Sequence, residues 1–348
     1  MTVYQLELIG IKYAKFSINF RHATNFLFAA FVLPSLNKPP YTIALNNAAV
    51  EAEMGNFHDQ PVLGVIGGSG VYEIDGLNDT CWQAIESPWG EPSDELLFGN
   101  LDGVNMVFLP RHGRGHVQTP STINYRANID AMKRAGVTDI ISLSACGSFN
   151  ENLPPGTFVI IDQFIDRTFA REKSFFGAGM VGHVSMARPV NSRLGDWCEQ
   201  AAREVGVSVH RGGIYLCMEG PQFSSLAESN LYRQWGCQVI GMTNMPEAKL
   251  AREAEIPYAT VAMVTDFDCW HPDHDAVQVD DVIRVLLENA EHARELVKKM
   301  VPRMKERPAV CPSGDDHALE MALMTAPEKR DPDLLAKLDA VAGRMLNG

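Results

Sequence analysis

The chain has 348 residues, of which 46% are hydrophobic, and a formal net charge of −13 at pH 7. This length and composition predict an ordinary globular protein with enough chain to bury a large core. The negative charge argues against nucleic acids and anionic membrane surfaces as partners, so any phosphate group must be held by a local set of donors.

The cysteines bear on the compartment in which the chain works. There are seven of them, with neither C-x-x-C pairing nor regular spacing. An odd number embedded in apolar runs predicts free thiols in a reducing compartment, so we expect a cytoplasmic protein. No apolar run is long enough to span a bilayer, so we expect no membrane association.

The first 60 residues differ in composition from the rest. No Asp or Glu occurs between Leu8 and Val50, and positions 25–33 resemble the apolar core of a signal peptide. That run lies far from Met1, and no clear cleavage site follows it; a transit-like peptide is an alternative. We interpret residues 1–60 as an N-terminal extension, poorly ordered or arising from an upstream start, because Met54 stands just before the first convincing strand.

From Pro61 onward strand and helix signals alternate, which predicts an α/β fold with a largely parallel or mixed sheet. The apolar and β-branched runs that predict strands are 62–66, 104–109, 140–143, 157–161, 214–218, 239–242 and 258–264. The segments with helical periodicity are 123–135, 193–205, 225–235, 246–255 and 280–304.

These elements predict one domain over residues 61–304, because the connections are short and no internal repeat is visible. The remaining residues, 305–348, carry apolar positions such as Leu319, Leu335 and Leu338, which predict one or two docked helices. Such a C-terminal helical extension more often stabilises an oligomer than forms a domain of its own.

The stretch VIGGSGVYE, residues 65–73, follows an apolar run and is typical of a phosphate-binding turn. Dinucleotide-binding proteins have G-x-G-x-x-G at such a strand-to-helix turn. Read from Gly68, the third glycine is replaced by Glu73, which does not let a helix pack closely on the strand. The turn therefore fits a dinucleotide poorly, and alone it is equally compatible with a glycine turn that only ends a strand.

Two further segments at the ends of predicted strands suit an anion. Arg111 and His112 follow residues 104–109, and a guanidinium offers a planar fork for phosphate oxygens, with the histidine as a second donor. Ser144 opens a small-residue turn, SACGS, whose backbone N–H groups and hydroxyl are suited to an anion nest. Taken singly, a solvated basic loop explains the first segment and close packing explains the second.

Asp266 and Asp268 follow the strongly apolar strand YATVAMVT. Side chains at i and i+2 on a strand point the same way, so the two carboxylates should repel each other and raise one pKa. His271 and His274 nearby leave a metal site open as an alternative, although the stretch lacks the ligand pattern of one.

The segment MEGPQFSS, residues 218–225, lies between a predicted strand and a predicted helix. Phe223 is suited to stack on a planar ring, and Ser225 with Glu228 three residues later predicts a capping box. A helix entry whose phenylalanine packs inward explains Phe223 equally well.

Taken together, these segments resemble one family. VIGGSG, PRHGRGH, STINYRANI, SACGS, DQFIDRT, EGPQFSS, GMTNMPEA and TDFDCW occur in the order and spacing of the purine nucleoside phosphorylase superfamily, nearest to its 5′-methylthioadenosine phosphorylases. The resemblance covers residues 62–300. It implies a single phosphorylase-type α/β domain with a mixed, partly barrel-like central sheet flanked by helices. It also implies a homotrimer, with active sites near subunit interfaces, that converts 5′-methylthioadenosine and phosphate to adenine and 5-methylthioribose 1-phosphate.

The resemblance further implies which residues form the site. Inorganic phosphate, a co-substrate, would be held by Ser69, Arg111, His112, Ser144, Ala145 and Thr243. Met242 would lie under the ribose and Phe223 beside the base. Asp266 and Asp268 would be the catalytic pair, facing N7 and the 6-amino group of adenine.

The same resemblance implies three specificity residues, Ser224, Val279 and Val282, of which the two valines would line an apolar pocket for the methylthio group. His183 resembles the residue that reaches across to the 5′ pocket of a neighbouring subunit. No metal and no organic cofactor is implied.

The expected chemistry agrees with these residue types. A bound phosphate dianion stabilises the positive charge that builds on the sugar, and a carboxyl group with a raised pKa can protonate N7 of the leaving purine. The alternative within the enzyme class is a 6-oxopurine or general purine nucleoside phosphorylase, although Asn would serve a 6-oxo group better than Asp268. A hydrolase, a dehydrogenase and a catalytically silent nucleoside-binding protein are the remaining alternatives.

Overall fold

In the computed structural model of the protein, the described residues are 60–68, 70–271 and 279–346, without the side chains of 279–283. The predicted N-terminal extension lies outside them except for Gln60, and so does His274. Ser69 and the side chains of Val279 and Val282 also lie outside the described part of the chain.

The described residues form an 11-stranded sheet. Its strands are β1 (Val62–Gly67), β2 (Asn78–Gln83), β3 (Leu96–Leu101), β4 (Val104–Pro110), β5 (Asp139–Ser148), β6 (Phe158–Ile160), β7 (Gln163–Asp166), β8 (Val209–Arg211), β9 (Ile214–Cys217), β10 (Val239–Gly241) and β11 (Tyr258–Asp266).

The sheet branches at β5. One path runs in the order β2-β3-β4-β1-β5-β10-β9-β7, and on its other edge β5 pairs with β11, which continues to β6 and β8. The pairs of β5 with β1 and β11 are parallel and its pair with β10 is antiparallel. Strands β1 and β11 are almost wholly buried, as expected for parallel strands that are covered on both faces. The predicted mixed α/β fold is confirmed.

Strand β5 is longer than the sequence predicts. The segment SACGS, predicted as a turn, belongs to the strand as far as Ser148. Two partners account for this difference: β11 pairs with β5 up to Gly147, and β10 pairs with Gly147 and Ser148. Four strands, β2, β3, β7 and β8, are not among the predicted strands. The sequences of β2, β7 and β8 carry little apolar alternation, and Gly99 and Asn100 interrupt the apolar run of the buried β3.

The predicted helices are present with small shifts at their ends. They are α1 (Tyr125–Arg134), α2 (Ser192–Val205), α3 (Leu226–Gln234), α4 (Glu247–Glu253) and α5 (Val279–Lys305), followed by the shorter α6 (Pro332–Lys337) and α7 (Gly343–Leu346). The capping box predicted for Ser225 and Glu228 is present at the start of α3. Among the described residues, no helix is long and apolar enough to cross a membrane.

The C-terminal residues pack against the domain. Leu319, Leu338 and Val341 are buried in the same apolar cluster as residues of β1 and α1. Arg344 binds Glu255, just beyond the end of α4, with N···O distances of 2.6 and 2.8 Å. The segment that follows α5 therefore covers the side of the domain formed by α1 and α4.

Candidate functional site

The candidate site lies at an interruption in the sheet beside β5. On one edge β5 pairs with β1 as far as Ser142, and pairs with β10 only from Gly147 onward. No strand among the described residues pairs with this edge at positions 143–146. The glycine turn begins where β1 ends, and Gly70 has φ +90°, a left-handed conformation that suits glycine. An unpaired strand edge offers backbone N–H groups to an anion.

The alternation of the strand identifies the backbone groups that face this gap. Arg111 Nη1 donates to the carbonyl of Leu143, with an N···O distance of 3.2 Å, so the polar groups of Leu143 point to the open edge. Those of Ala145, two residues further on, therefore point the same way. Ala145 is also exposed, whereas the rest of β5 is buried. The structure thus brings the backbone of Ala145 to the edge where the resemblance expects phosphate.

The fork of Arg111 faces Glu247. Both side chains are about 2% exposed, and Nε and Nη2 donate to the carboxylate at 2.9 and 3.2 Å. Nη2 also donates to Ser142 Oγ and to the carbonyl of Ile66. Although burial opposes both charges, each ion holds the pKa of the other in the ionised range, raised for Arg111 and lowered for Glu247. The expected open fork is therefore already occupied by a buried carboxylate.

Most N–H hydrogens of Arg111 are already used within the protein. Its contacts use the hydrogen on Nε, both hydrogens on Nη2 and one on Nη1. A guanidinium has five such hydrogens, so one on Nη1 has no acceptor among the residues that the structure describes.

In this structure His112 presents an acceptor where the sequence predicts a second donor. Its ring is half-buried and stacks on His116 at a centroid distance of 4.3 Å. Burial lowers the pKa of His112 to about 4, so the imidazole is neutral at pH 7. Nδ1 lies 2.9 Å from the carbonyl of Gln118, which can only accept, so Nδ1 carries the proton and Nε2 is an acceptor. Nε2 would donate to an anion beside this ring only after taking up a proton.

A buried amide, the side chain of Asn244, holds Ser144 close to Thr243. Asn244 Nδ2 donates to Ser144 Oγ, with an N···O distance of 3.1 Å, and Asn244 directly follows Thr243. Thr243 is 8% exposed, and its hydroxyl lies 3.3 Å from the hydroxyl of Tyr215. Two of the expected phosphate ligands thus meet beside the gap in the sheet.

Met242 connects this cluster to the EGPQF loop. Gly220 has φ +71°, and a Cβ built on it would lie 2.4 Å from the sulfur of Met242. Glycine at this position therefore lets the loop pack directly on the half-buried Met242 side chain.

Asp266 and Asp268 come together, but not by strand alternation as predicted. Strand β11 ends at Asp266, and Asp268 has φ +54°, beyond the strand. Asp266 Oδ1 accepts from the backbone N–H of Asp268 at 2.7 Å, and Oδ2 accepts from the Thr265 hydroxyl at 2.7 Å. A Cβ on Gly147 would lie 2.9 Å from Asp266 Oδ1 and 3.3 Å from Asp268 Cβ. Glycine at position 147 is what leaves room for both carboxyls.

Burial is the main influence on both carboxyls. It raises the pKa of Asp266 against the hydrogen bonds from Thr265 and Asp268, which favour the charged form. It also raises the pKa of Asp268, to which the neighbouring charge of Asp266 adds a smaller contribution. The expected increase in pKa therefore affects both groups; desolvation is its main cause in each, and repulsion by the charge of Asp266 adds to it only for Asp268.

The acid pair and the open edge lie on neighbouring positions of one face of β5. Ala145 and Gly147 are two residues apart on one face of β5, which corresponds to about 7 Å along the strand. The two carboxyls fill the space above Gly147, the next residue after Ala145 on this face of the strand. A ligand on this face can contact the carboxyls at one end and the open edge at the other.

Of three other predicted residues, Ser224 lies beside the acid pair, because its carbonyl accepts from Sγ of Cys269, the residue after Asp268. Phe223 is 72% exposed, and Ser224 is half-buried with its hydroxyl 3.7 Å from the sulfur of Met218. His183 is exposed, and its backbone N–H donates to the carbonyl of Ala322 in the C-terminal segment.

Sequence reasoning missed two buried charged residues at this site. Glu247 pairs with Arg111 from 136 positions away. Arg171, with a side chain that is 0% exposed, donates to the carbonyls of Met242, Met245 and Glu219 at 2.6–2.8 Å. Their motifs, GMTNMPEA and the residues after DQFIDRT, mark the segments, but only the fold shows that these charges are internal.

The described residues do not gather three or more His, Cys, Asp or Glu side chains in a group that could hold a metal ion. All seven cysteines are free thiols. The expectation that no metal takes part remains a prediction.

Comparison with known proteins assigns the class. The family model of the phosphorylase superfamily matches residues 62–302, and the chain belongs to that superfamily. Among its relatives, the S-methyl-5′-thioadenosine phosphorylase of Rhodospirillum rubrum is 67% identical over 293 residues, which are 84% of this chain and 100% of that protein.

Solved structures agree with this assignment. A methylthioadenosine phosphorylase from an Antarctic soil metagenomic library superposes with a TM-score of 0.77 at 46% identity, covering 81% of this chain and 99% of that one. An adenosine/methylthioadenosine phosphorylase mutant from Schistosoma mansoni, in complex with adenine, gives a TM-score of 0.72 at 35% identity, covering 76% and 99%. The superfamily inferred from the motifs is therefore confirmed.

Proposed function

We propose that this chain catalyses the phosphorolysis of 5′-methylthioadenosine to adenine and 5-methylthioribose 1-phosphate. One observation carries the proposal: an open strand edge at Ala145 and a pair of buried carboxyls above Gly147 lie at neighbouring positions on one face of β5. The names of the relatives, at up to 67% identity, support the substrate.

Phosphate would bind at the open edge. Its donors would be the backbone of Ala145, the hydroxyls of Ser69, Ser144 and Thr243 and the remaining Nη1 hydrogen of Arg111. The backbone and hydroxyl donors are neutral, and Glu247 balances the charge of Arg111. The neighbouring His112 is uncharged as well. A phosphate oxygen attacks C1′ of the ribose, the C1′–N9 bond breaks, and its electron pair passes to the purine.

The leaving purine would receive a proton at N7 from Asp266, whose pKa is raised by burial. Asp268 would accept a hydrogen bond from the 6-amino group. Met242 would lie under the ribose, Phe223 beside the base, and Ser224, Val279 and Val282 around the base and the methylthio group. The reaction as proposed uses phosphate as co-substrate and draws on no metal or organic cofactor.

The active assembly would be a homotrimer. The exposed His183, held to the C-terminal segment through Ala322, supports a role in a neighbouring subunit's 5′ pocket. Light scattering on the full chain tests this, and a monomer that retains full activity would contradict it.

The decisive experiment is an assay of adenine release from 5′-methylthioadenosine with and without phosphate. We expect release only with phosphate, and unaffected by a metal chelator. Asp266→Asn, which retains the shape of the side chain but not its proton, should lower turnover by about 10²–10⁴-fold. The exposed Asp333→Asn serves as the matched control and should leave turnover unchanged. Release that does not need phosphate would contradict phosphorolysis.

Adenosine is the second candidate substrate, since the Schistosoma mansoni relative is named for both nucleosides. The same assay with adenosine and with methylthioinosine separates the possibilities. A preference for methylthioinosine would favour the 6-oxopurine alternative.

A further inference from the structure

A buried amide lies at the centre of the polar residues behind the proposed phosphate site. Asn244 is 0% exposed, and its Nδ2 donates to Ser144 Oγ at 3.1 Å. Its Oδ1 accepts from Ser142 Oγ at 2.8 Å, and that hydroxyl in turn accepts from Arg111 Nη2. A single side chain thus joins Ser144 and Arg111, two of the proposed phosphate ligands.

The same amide oxygen is anchored from the opposite side. Tyr258 and Thr260, both on β11, place their hydroxyls 3.1 and 3.3 Å from Asn244 Oδ1. Tyr258 also donates to Glu247 at 2.7 Å, so the amide is tied to the acid that holds Arg111. In this arrangement Nδ2 faces the Ser144 hydroxyl, and Oδ1 faces the hydroxyls of β11 and accepts the proton of Ser142.

The direction of the bond to Ser144 decides where the Ser144 proton points. A serine hydroxyl has one proton and two lone pairs, and the donation from Asn244 Nδ2 occupies a lone pair. The proton of Ser144 therefore remains for another acceptor. Ser142 differs, because its proton is used on Asn244 Oδ1. Strand β5 has three buried serines; Ser148 donates its proton to the carbonyl of Asn150, so only Ser144 has a proton available for an anion.

We propose that Asn244 is a positioning residue that directs the Ser144 hydroxyl proton at phosphate. The inference rests on the proposed function only in requiring that phosphate binds beside Ser144. Asn244 acts through Ser144 and touches no substrate itself.

The backbone of Asn244 determines how this can be tested. Its φ is +72°, a left-handed conformation that Asn tolerates and that glycine adopts without strain. Asn244→Gly therefore removes the amide and retains the backbone. Asn244→Asp retains the size and the acceptor for Ser142, but places an acceptor where Nδ2 was, so that the Ser144 proton is captured.

The experiment measures the dissociation constant of inorganic phosphate by calorimetry on the full chain. We expect Asn244→Gly and Ser144→Ala each to weaken binding by about tenfold, the usual effect of losing one buried hydrogen bond. The double variant should be no weaker than either single variant within about twofold, because both changes remove the same contact. Asn244→Asp should also weaken binding at least tenfold, and Ser144→Ala should add nothing to it.

The matched control is Asn191→Gly. Asn191 is 1% exposed and donates to groups in the C-terminal segment, so its loss should lower thermal stability and leave phosphate binding unchanged. Effects of Asn244→Gly and Ser144→Ala that multiply in the double variant would overturn the inference, as would unchanged binding in Asn244→Gly. A wild-type chain that binds phosphate without consuming 5′-methylthioadenosine would contradict the proposed function alone. A wild-type chain that binds no phosphate would contradict both.

Discussion

Replacing Arg111 by Met tests the buried ion pair behind the proposed phosphate site. Methionine retains an unbranched, apolar side chain but leaves the carboxylate of Glu247 without its partner. Both side chains are about 2% exposed in the native protein, so the orphaned charge has no access to water. Breaking a buried pair in this way typically costs about 3–5 kcal/mol of unfolding free energy. Tyr258 still donates to Glu247, so we expect a loss near the lower limit, about 3 kcal/mol.

The double variant Arg111→Met with Glu247→Gln should recover more than half of this loss. The glutamine is neutral and still accepts from Tyr258, so no charge remains buried. The assay is urea unfolding of the three proteins at one protein concentration, since an oligomer's stability depends on concentration. A single variant that loses less than about 1 kcal/mol, or a double variant no more stable than the single, would refute the reading of an ionised buried pair.

Phosphate binding separates this effect from the direct role of Arg111. Both variants lack the Nη1 hydrogen, so both should bind phosphate more weakly than wild type and to the same extent. The two measurements therefore separate the contribution of Arg111 to stability from its contribution to phosphate binding. Normal phosphate affinity in the double variant would remove Arg111 from the proposed set of ligands.

Three further outcomes are expected. Asp268→Asn should shift the kcat/KM ratio from 5′-methylthioadenosine towards methylthioinosine, because an amide can donate to a 6-oxo group, and an unchanged ratio would show that Asp268 does not contact the base. Burial raises the pKa of Glu253 to about 7 from 4.5. Wild type therefore loses stability as the pH rises from about 4.5 to 7. In urea unfolding, the stability of Glu253→Gln relative to wild type should increase by about 2.5 kcal/mol from pH 5 to pH 8, and a constant difference would contradict the shift. Deletion of residues 1–53 should leave folding and activity intact, and an insoluble product would show that the segment belongs to the fold.

Local patterns in the sequence predicted much of this protein. The apolar runs predicted the positions of β1, β4 and β11, and the Ser-x-x-Glu spacing predicted the start of α3. These features depend on residues that are close together in the sequence. The motifs also identified the superfamily and, with it, the segments that form the site. The structure brings several of these segments together beside β5, and the roles of their side chains stay predictions.

The tertiary structure alone decided how the side chains in those segments are used. The sequence does not show that Glu247 fills the fork of Arg111, that burial keeps His112 neutral, or that β5 extends through SACGS and leaves one edge open between β1 and β10. Each of these depends on partners between about 80 and 140 positions away in the chain, or on the exclusion of water from a closed core. Charge, protonation and free hydrogen-bond capacity follow from burial and neighbours, and a chain acquires both only when distant segments pack together.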